Sequence, residues 1–443
     1  MPVFLEDFAR LVNDRKDYLR ERILRGKFNP LEEDFRKHMI NHWAPLEDLN
    51  SFFVNLKDLN VMAVDSSVYT NLLSSGGLLY IIRSMSMQRD IAAAKRIDID
   101  VIFSKDKISN VYELIAAKTE LLEFEVALEA IKNGFDGDAI LIDGSLYGRA
   151  SHIPLEPRVE EERDLLLRYF KVYKSLLDLC RESNILLMGV SKESRSTFYR
   201  DYLLHLIFNE RLNALSINTE DKRLLREIFF QILDSERVAL ERFYGLKKKY
   251  GGDLNPVEMI LWELASSRPD YQLIMSCVSS IGYAYPMLLG PTIRMAKRLK
   301  EYQKDPEGYV KKYFPRLSME RGERFIQWAS EVLRDISELP SFVSFYLLLD
   351  WRDSPIRIDI PFYDKMLFEV DWPEPIEFNV EDVLKIMVTG YCGLNAYNIW
   401  LKNVDEKVRL KRKVVDEIYL PFLEKVFGEK IIRGRGYRRV KYP

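Results

Sequence analysis

Histidine and cysteine are scarce, with four and three residues in a chain of 443. Cys180, Cys277 and Cys392 are scattered, without the paired spacing of a zinc module or a disulfide framework, and point to a reducing, cytoplasmic setting. His38 and His42 stand four apart, but no Glu follows His38 as a metalloprotease helix requires, so they read as a surface pair. His152 and His205 have no companions, which leaves nucleophilic triads without support. A Walker-type glycine loop is missing too, so the chain is not expected to hydrolyse nucleotide by itself. No apolar run approaches the roughly 18 residues that cross a bilayer, and Met-Pro-Val-Phe-Leu-Glu-Asp at the start gives no expectation of a signal peptide. Neither sign of charge is in excess, with 66 basic and 68 acidic residues. A global pull on nucleic acid is thereby excluded, and any such binding must come from a local basic patch.

What is present is an ordinary globular composition, 47% hydrophobic and 30% charged, in a chain long enough for a large core and more than one structural unit. Three short apolar runs read as strands buried on both faces: Val61-Met-Ala-Val-Asp65, Ala139-Ile-Leu-Ile-Asp143 and Leu186-Leu-Met-Gly-Val190. Between the first two lie strand-like runs at 79–87 and 96–103, with Gly76-Gly77 as a turn, and then a helix over about 109–133. A second helix, about 157–182, precedes the third buried run. The order β-β-β-α-β-α-β is that of a ribonuclease-H-like sheet, antiparallel on one side and parallel on the other. The fold class expected is therefore α/β, a ribonuclease-H-like mixed sheet with flanking helices and a large helical insertion. The divisions expected are a helical segment 1–60, the first part of the core 61–197, a mainly helical insertion 198–340, a C-terminal part completing the core 341–427, and a basic tail 428–443. Two further strands are expected at 342–349 and 356–360.

Asp65 and Asp143 end two of the buried runs, where rigid strand ends of α/β proteins gather ligands. Two carboxylates so placed can hold divalent magnesium or manganese, whose preferred ligands are oxygens. A third carboxylate is expected from the intervening helix, where Glu125 shares a face with Leu121, Leu122 and Leu128, and Glu123 is an equal alternative. Glu120 reads as a solvated charge. Lys192 and Arg195, after the third buried run, are placed to meet a phosphate. Asp270 reads as structural. Arg433, Arg435, Arg438 and Arg439, interleaved with glycine and tyrosine in the tail, are candidates to track a phosphate backbone.

Taken together, Val64-Asp65-Ser66-Ser67, the helix glutamate, Ile142-Asp143-Gly-Ser145-Leu146, Ser191-Lys192-Glu193-Ser194-Arg195 and Arg357-Ile-Asp-Ile-Pro361 resemble the NurA nuclease family. The resemblance spans most of residues 60–400. It implies a homodimeric, manganese- or magnesium-dependent DNA nuclease, a 5′-to-3′ exonuclease and single-strand endonuclease. It also implies action on single- and double-stranded DNA ends beside the hexameric HerA ATPase in end resection. Asp65, Glu123 or Glu125, and Asp143 would bind the metal, while Lys192 and Tyr391 would help to place the strand. One feature departs from the family: its histidine is replaced near Tyr397 or Asn398, after Gly390-Tyr391-Cys392. A catalytically weak or inactive DNA-binding partner that regulates the translocase is the alternative function, and a ribonuclease on the same core a third.

Overall fold

The computed structural model describes residues 3–24, 30–103, 108–159, 161–235 and 238–433. Its strands are β1 (Trp43–Pro45), β2 (Val61–Leu72), β3 (Leu78–Gln88), β4 (Ile91–Ile102), β5 (Ala139–Asp143), β6 (Leu186–Ser191), β7 (Gly282–Ala284), β8 (Met287–Leu289), β9 (Pro340–Leu348), β10 (Ile356–Met366) and β11 (Glu374–Pro375). They form one mixed sheet in the order β1-β7-β9-β10-β6-β5-β2-β3-β4, with β8 bridging β9 and β11. Within it, β4-β3-β2 is antiparallel and β2-β5-β6 is parallel, the arrangement of a ribonuclease-H-like core. The chain is thus α/β with helices flanking a mixed sheet.

Parallel strands covered on both faces need apolar residues at every position. That is how Ala139–Ile142 reads, and all four are fully buried. Ile140 and Ile142 enter one core with the helices Ile108–Lys132, Leu165–Glu182 and Pro315–Ser337. Ala139 and Leu141 enter a second core with the helices Glu381–Gly390 and Ile399–Val408. The Leu165–Glu182 helix buries Leu165, Tyr169, Tyr173, Leu176 and Cys180 at helical spacing, and Phe124 stacks on Tyr173 with ring centroids 4.5 Å apart.

Two compact units divide the chain. The first joins residues 1–41 to 200–268 and 272–278 and is helical, with Arg211 bonded to Asp34 at 2.8 Å and His38 beside Glu210 at 3.5 Å. The second holds the whole sheet. The expected insertion 198–340 is therefore shared between the units. Its second half carries β7 and β8, which at three residues each are too short to show a period in sequence. The helix expected from 157 begins at Leu165 instead. His38 is buried rather than on the surface, and His42 lies past the end of the Glu32–Ile40 helix, beyond reach of a shared helical face.

Candidate active site

The register of β2 against β5 builds the centre of the site. Val61 to Val64 pair in parallel with Ala139 to Ile142, so Asp65 and Asp143 follow as the next residues on adjacent strands. β5 stops there, while β2 runs on against β3 to Leu72. Asp65 accordingly sits inside a strand rather than at its end, beside the point where its parallel neighbour leaves the sheet. It is buried, at 9% exposure, and accepts the Ser66 N–H at 2.7 Å. Burial first, then the charges of Glu123 and Asp143, push its pKa from an ordinary 3.8 up to about 8.

Glu123, not Glu125, comes to this place. Its carboxylate takes the Ser66 hydroxyl and the Arg149 guanidinium, the latter at 2.5 Å. Burial pushes the Glu123 carboxyl up, while Arg149 and Ser66 oppose it. Glu125 lies half-buried against Arg96 of β4 at 3.2 Å. The apolar-face argument favoured Glu125 because it assumes a single buried stripe. The Ile108–Lys132 helix instead packs both on β2–β4 and on the Leu165–Glu182 helix, so apolar residues surround it and no stripe marks the functional face. Glu120 is likewise not a solvated charge: it accepts from Tyr169 Oη at 2.7 Å and meets His152 Nε2 at 3.0 Å.

Asp143 meets Lys192 Nζ at 3.2 Å and accepts the Tyr397 hydroxyl at 3.2 Å on the same oxygen. Lys192 also lies 4.2 Å above the Tyr397 ring. Burial and the Asp143 charge push the Tyr397 phenol far up, so it stays a donor. Asn398 is fully buried, and its side-chain oxygen caps the Ile399–Val408 helix at Leu401 N, 3.1 Å away. It is thereby committed to the helix.

The loop behind Asp143 is held by β10. Asp359, fully buried, accepts from Ser145 Oγ (2.5 Å), Tyr147 N (3.2 Å), Ser344 Oγ (2.6 Å) and Arg357 Nε (2.8 Å). The Arg-Ile-Asp-Ile-Pro strand is thus a strut for the Asp143-Gly-Ser turn. Gly189 of β6 allows the turn to close down, since a β-carbon there would stand 2.7 Å from Gly144 O and Leu146 N.

Of the other expected residues, Arg195 is exposed. Tyr391 donates to Asp353 at 3.3 Å rather than to either strand aspartate. Asp270 is fully buried and takes the Tyr199 N–H and the Tyr346 hydroxyl, a structural place. Arg433 bonds Asp416 at 2.6 Å and bridges to Leu73, so it fastens the end of the described chain. Arg435, Arg438 and Arg439 lie outside the described residues. Two participants had not been singled out from sequence. Arg149 follows Asp143 by six residues, on the short helix Leu146–Ala150 after the strand, a signal visible only once Asp143 is placed. Asp405, whose charge adds to the rise of Asp65, carries no signal beyond its helical pairing with Arg409.

Among the described residues no three of His, Cys, Asp and Glu are gathered into a closed metal-binding group. The donors nonetheless suit a hard divalent cation: they are carboxylate oxygens, and Asp65 is raised by burial and by the negative charges of Glu123, Asp143 and Asp405. Among the described residues, no helix is long and apolar enough to cross a membrane.

The NurA domain profile matches residues 59–437. Among solved structures, the NurA nuclease from Sulfolobus solfataricus aligns with 97% of this chain and 98% of its own, at 14% identity and a TM-score of 0.50, which bears on the fold. Endonuclease V from Ciona intestinalis, in complex with an inosine-containing DNA, aligns over 50% of this chain and 65% of its own, at 13% identity and a TM-score of 0.17. Endonuclease V from Bacillus subtilis aligns over 37% and 54%, at 13% and 0.15. Neither endonuclease V alignment bears on the argument. No curated protein matches the sequence.

Proposed function

The chain belongs to the NurA family, whose domain it matches over residues 59–437, and from that premise we propose that it is a divalent-metal-dependent deoxyribonuclease. The observation that supports this reading most is the β2–β5 register, which sets Asp65 beside Asp143 with Glu123 near enough to raise Asp65. In this proposal Asp65, Glu123 and Asp143 hold the ion, manganese or magnesium. When bound, such an ion activates water and neutralises the leaving oxygen of a phosphodiester. Lys192, on the rim and 48% exposed along its side chain, is placed to meet a backbone phosphate once it releases Asp143. Ser66 and Arg149 orient the Glu123 carboxylate.

The finer parts of the proposal rest on family resemblance alone: 5′-to-3′ exonuclease and single-strand endonuclease action on DNA ends, a homodimer, and work beside a HerA-type hexameric ATPase. One feature favours the second reading, a weak or inactive DNA-binding partner of the translocase. Tyr397 and Lys192 both engage Oδ2 of Asp143, one of the two carboxylate oxygens that could serve a metal.

Digestion of 5′-labelled single-stranded DNA with Mn2+ or Mg2+ tests the main reading, with Asp65→Ala/Asp143→Ala alongside. Cleavage that requires the metal and both aspartates is the expected result. Full activity in the double variant, or none in the unaltered protein under either metal, overturns it. Inactivity together with DNA binding and stimulation of a translocase ATPase would select the second reading.

A further inference from the structure

We propose that Arg149 is the positioning residue of this site, holding the helix carboxylate of Glu123 against the strand end of Asp143. One nitrogen makes both contacts: Arg149 Nη2 donates to Glu123 Oε2 at 2.5 Å and to the Asp143 carbonyl at 2.9 Å. The helix bearing Glu123 and the strand bearing Asp143 are thus fastened at one point, immediately beside two of the three carboxylates. Without that bridge, the Glu123 side chain would keep, among the described residues, only the Ser66 hydroxyl as a hydrogen-bond partner.

The surroundings are built to keep the guanidinium there. Arg149 is 5% exposed. Its guanidinium lies 5.2 Å from the Phe124 ring centre, and its carbonyl accepts the Tyr169 hydroxyl at 3.2 Å. The short helix Leu146–Ala150 that presents it is capped by the Ser145 hydroxyl at Gly148 N. Gly144 turns at φ +113°, and a β-carbon there would stand 3.3 Å from Arg149 Nη2. The glycine of Asp-Gly-Ser therefore both makes the turn and leaves room for the guanidinium.

Stability alone does not explain this arginine. A buried ion pair is costly to desolvate, and replacing both partners by apolar side chains of similar volume commonly serves folding as well or better. Here the neighbours include the Phe124 and Tyr169 rings, which would accept such side chains. Moreover, Arg149 Nη1 is buried with no hydrogen-bond partner among the described residues, so one face of the guanidinium is left unsatisfied. What an arginine supplies here is one donor nitrogen gripping a carboxylate and a carbonyl together, in a plane held 5.2 Å from the Phe124 ring centre, which a flexible ammonium does not reproduce.

This inference rests on the proposed metal-dependent nuclease, and the test separates the two. Arg149→Met, Arg149→Lys and Arg149→Ala are compared with the unaltered protein by thermal melting, Mn2+ calorimetry and Mn2+-dependent cleavage of labelled single-stranded DNA. The expected result is an Arg149→Met protein that still folds, with a lowered melting temperature because Glu123 is left buried without its partner, and with Mn2+ affinity lowered about 10- to 100-fold, the range for contacts that orient metal ligands. Its kcat falls while KM for DNA stays within about twofold, since the guanidinium is buried. Arg149→Lys recovers little, and added guanidinium restores part of the Arg149→Ala activity without changing its melting temperature. An Arg149→Met protein with unaltered Mn2+ affinity and kcat overturns the proposal, as does a loss in Arg149→Ala that tracks unfolding and ignores guanidinium. An unaltered protein that binds Mn2+ but does not cut DNA overturns the nuclease reading alone, and the calorimetric comparison still decides on Arg149. Absence of Mn2+ binding in the unaltered protein overturns both.

Discussion

Replacing Asp65 by Asn should stabilise the metal-free protein at alkaline pH and leave it nearly unchanged in acid. The carboxyl is raised from 3.8 to about 8 by burial and by the charges of Glu123 and Asp143. Between those two values the folded protein keeps a proton that the unfolded chain has lost. Stability therefore falls as pH rises from about 4 to about 8, and the loss is complete above that window. The full displacement is worth roughly 6 kcal/mol at about 1.4 kcal/mol per tenfold change in proton affinity, an upper limit. Protonation of a neighbour relieves the same repulsion, so a difference of ~2–4 kcal/mol between Asp65→Asn and the unaltered protein is expected near pH 9. Urea denaturation in EDTA at several pH values from 5 to 9 measures it. Mn2+ at about 100 times its dissociation constant should then restore roughly 2.7 kcal/mol to the unaltered protein and little to Asp65→Asn. A stability difference that stays flat from pH 5 to pH 9 would refute the reasoning, because it would mean that Asp65 is ionised in the metal-free site.

Other outcomes separate neighbouring residues. Glu123→Gln should lower Mn2+-dependent cleavage by at least ~100-fold, whereas Glu125→Gln loses a partly exposed pair with Arg96 and should change stability by no more than about 1 kcal/mol; parallel rate and melting measurements compare them. Asp359→Ala leaves Arg357 buried without its carboxylate and should cost about 3–5 kcal/mol. The double variant Arg357→Met/Asp359→Leu should cost less than that single change, as chemical denaturation would show. Gly189→Ala pushes a methyl into Gly144 O and should cost about 1–3 kcal/mol, with a fall in kcat because the Asp143 turn must move. Tyr397→Phe removes the bond to Asp143 but keeps the ring beneath Lys192, so a change of about 1 kcal/mol in Mn2+ binding is expected by calorimetry.

The strands that frame the site were legible because each is covered on both faces and so has an unbroken apolar run: β5 and β6 show this most plainly. Their order, with two crossovers after three adjacent strands, was enough to expect a mixed ribonuclease-H-like sheet. The sheet beyond β9 was not legible, since β1, β7, β8 and β11 have two or three residues each and pair with distant segments. The choice between Glu123 and Glu125 stayed open in sequence for a related reason. Helical periodicity locates a buried face only when another face is wet, and most of the 121–131 stretch of that helix is buried.

The place of the family's histidine shows where sequence reasoning stops and geometry continues. Tyr397 and Asn398 are adjacent in sequence, and side-chain chemistry alone favours the amide oxygen of asparagine over a phenol as a metal ligand. Backbone position reverses that order. Asn398 is the first cap of the Ile399–Val408 helix, with extended φ and ψ and its oxygen on Leu401 N. Moving that oxygen to a metal would uncap a helix at a cost of about 1 kcal/mol. Tyr397, one residue earlier, remains outside the helix and reaches Asp143 with its hydroxyl and Lys192 with its ring. Of the two, the residue that reaches Asp143 is therefore the poorer ligand, and it stands there as a hydroxyl donor and as a platform beneath Lys192.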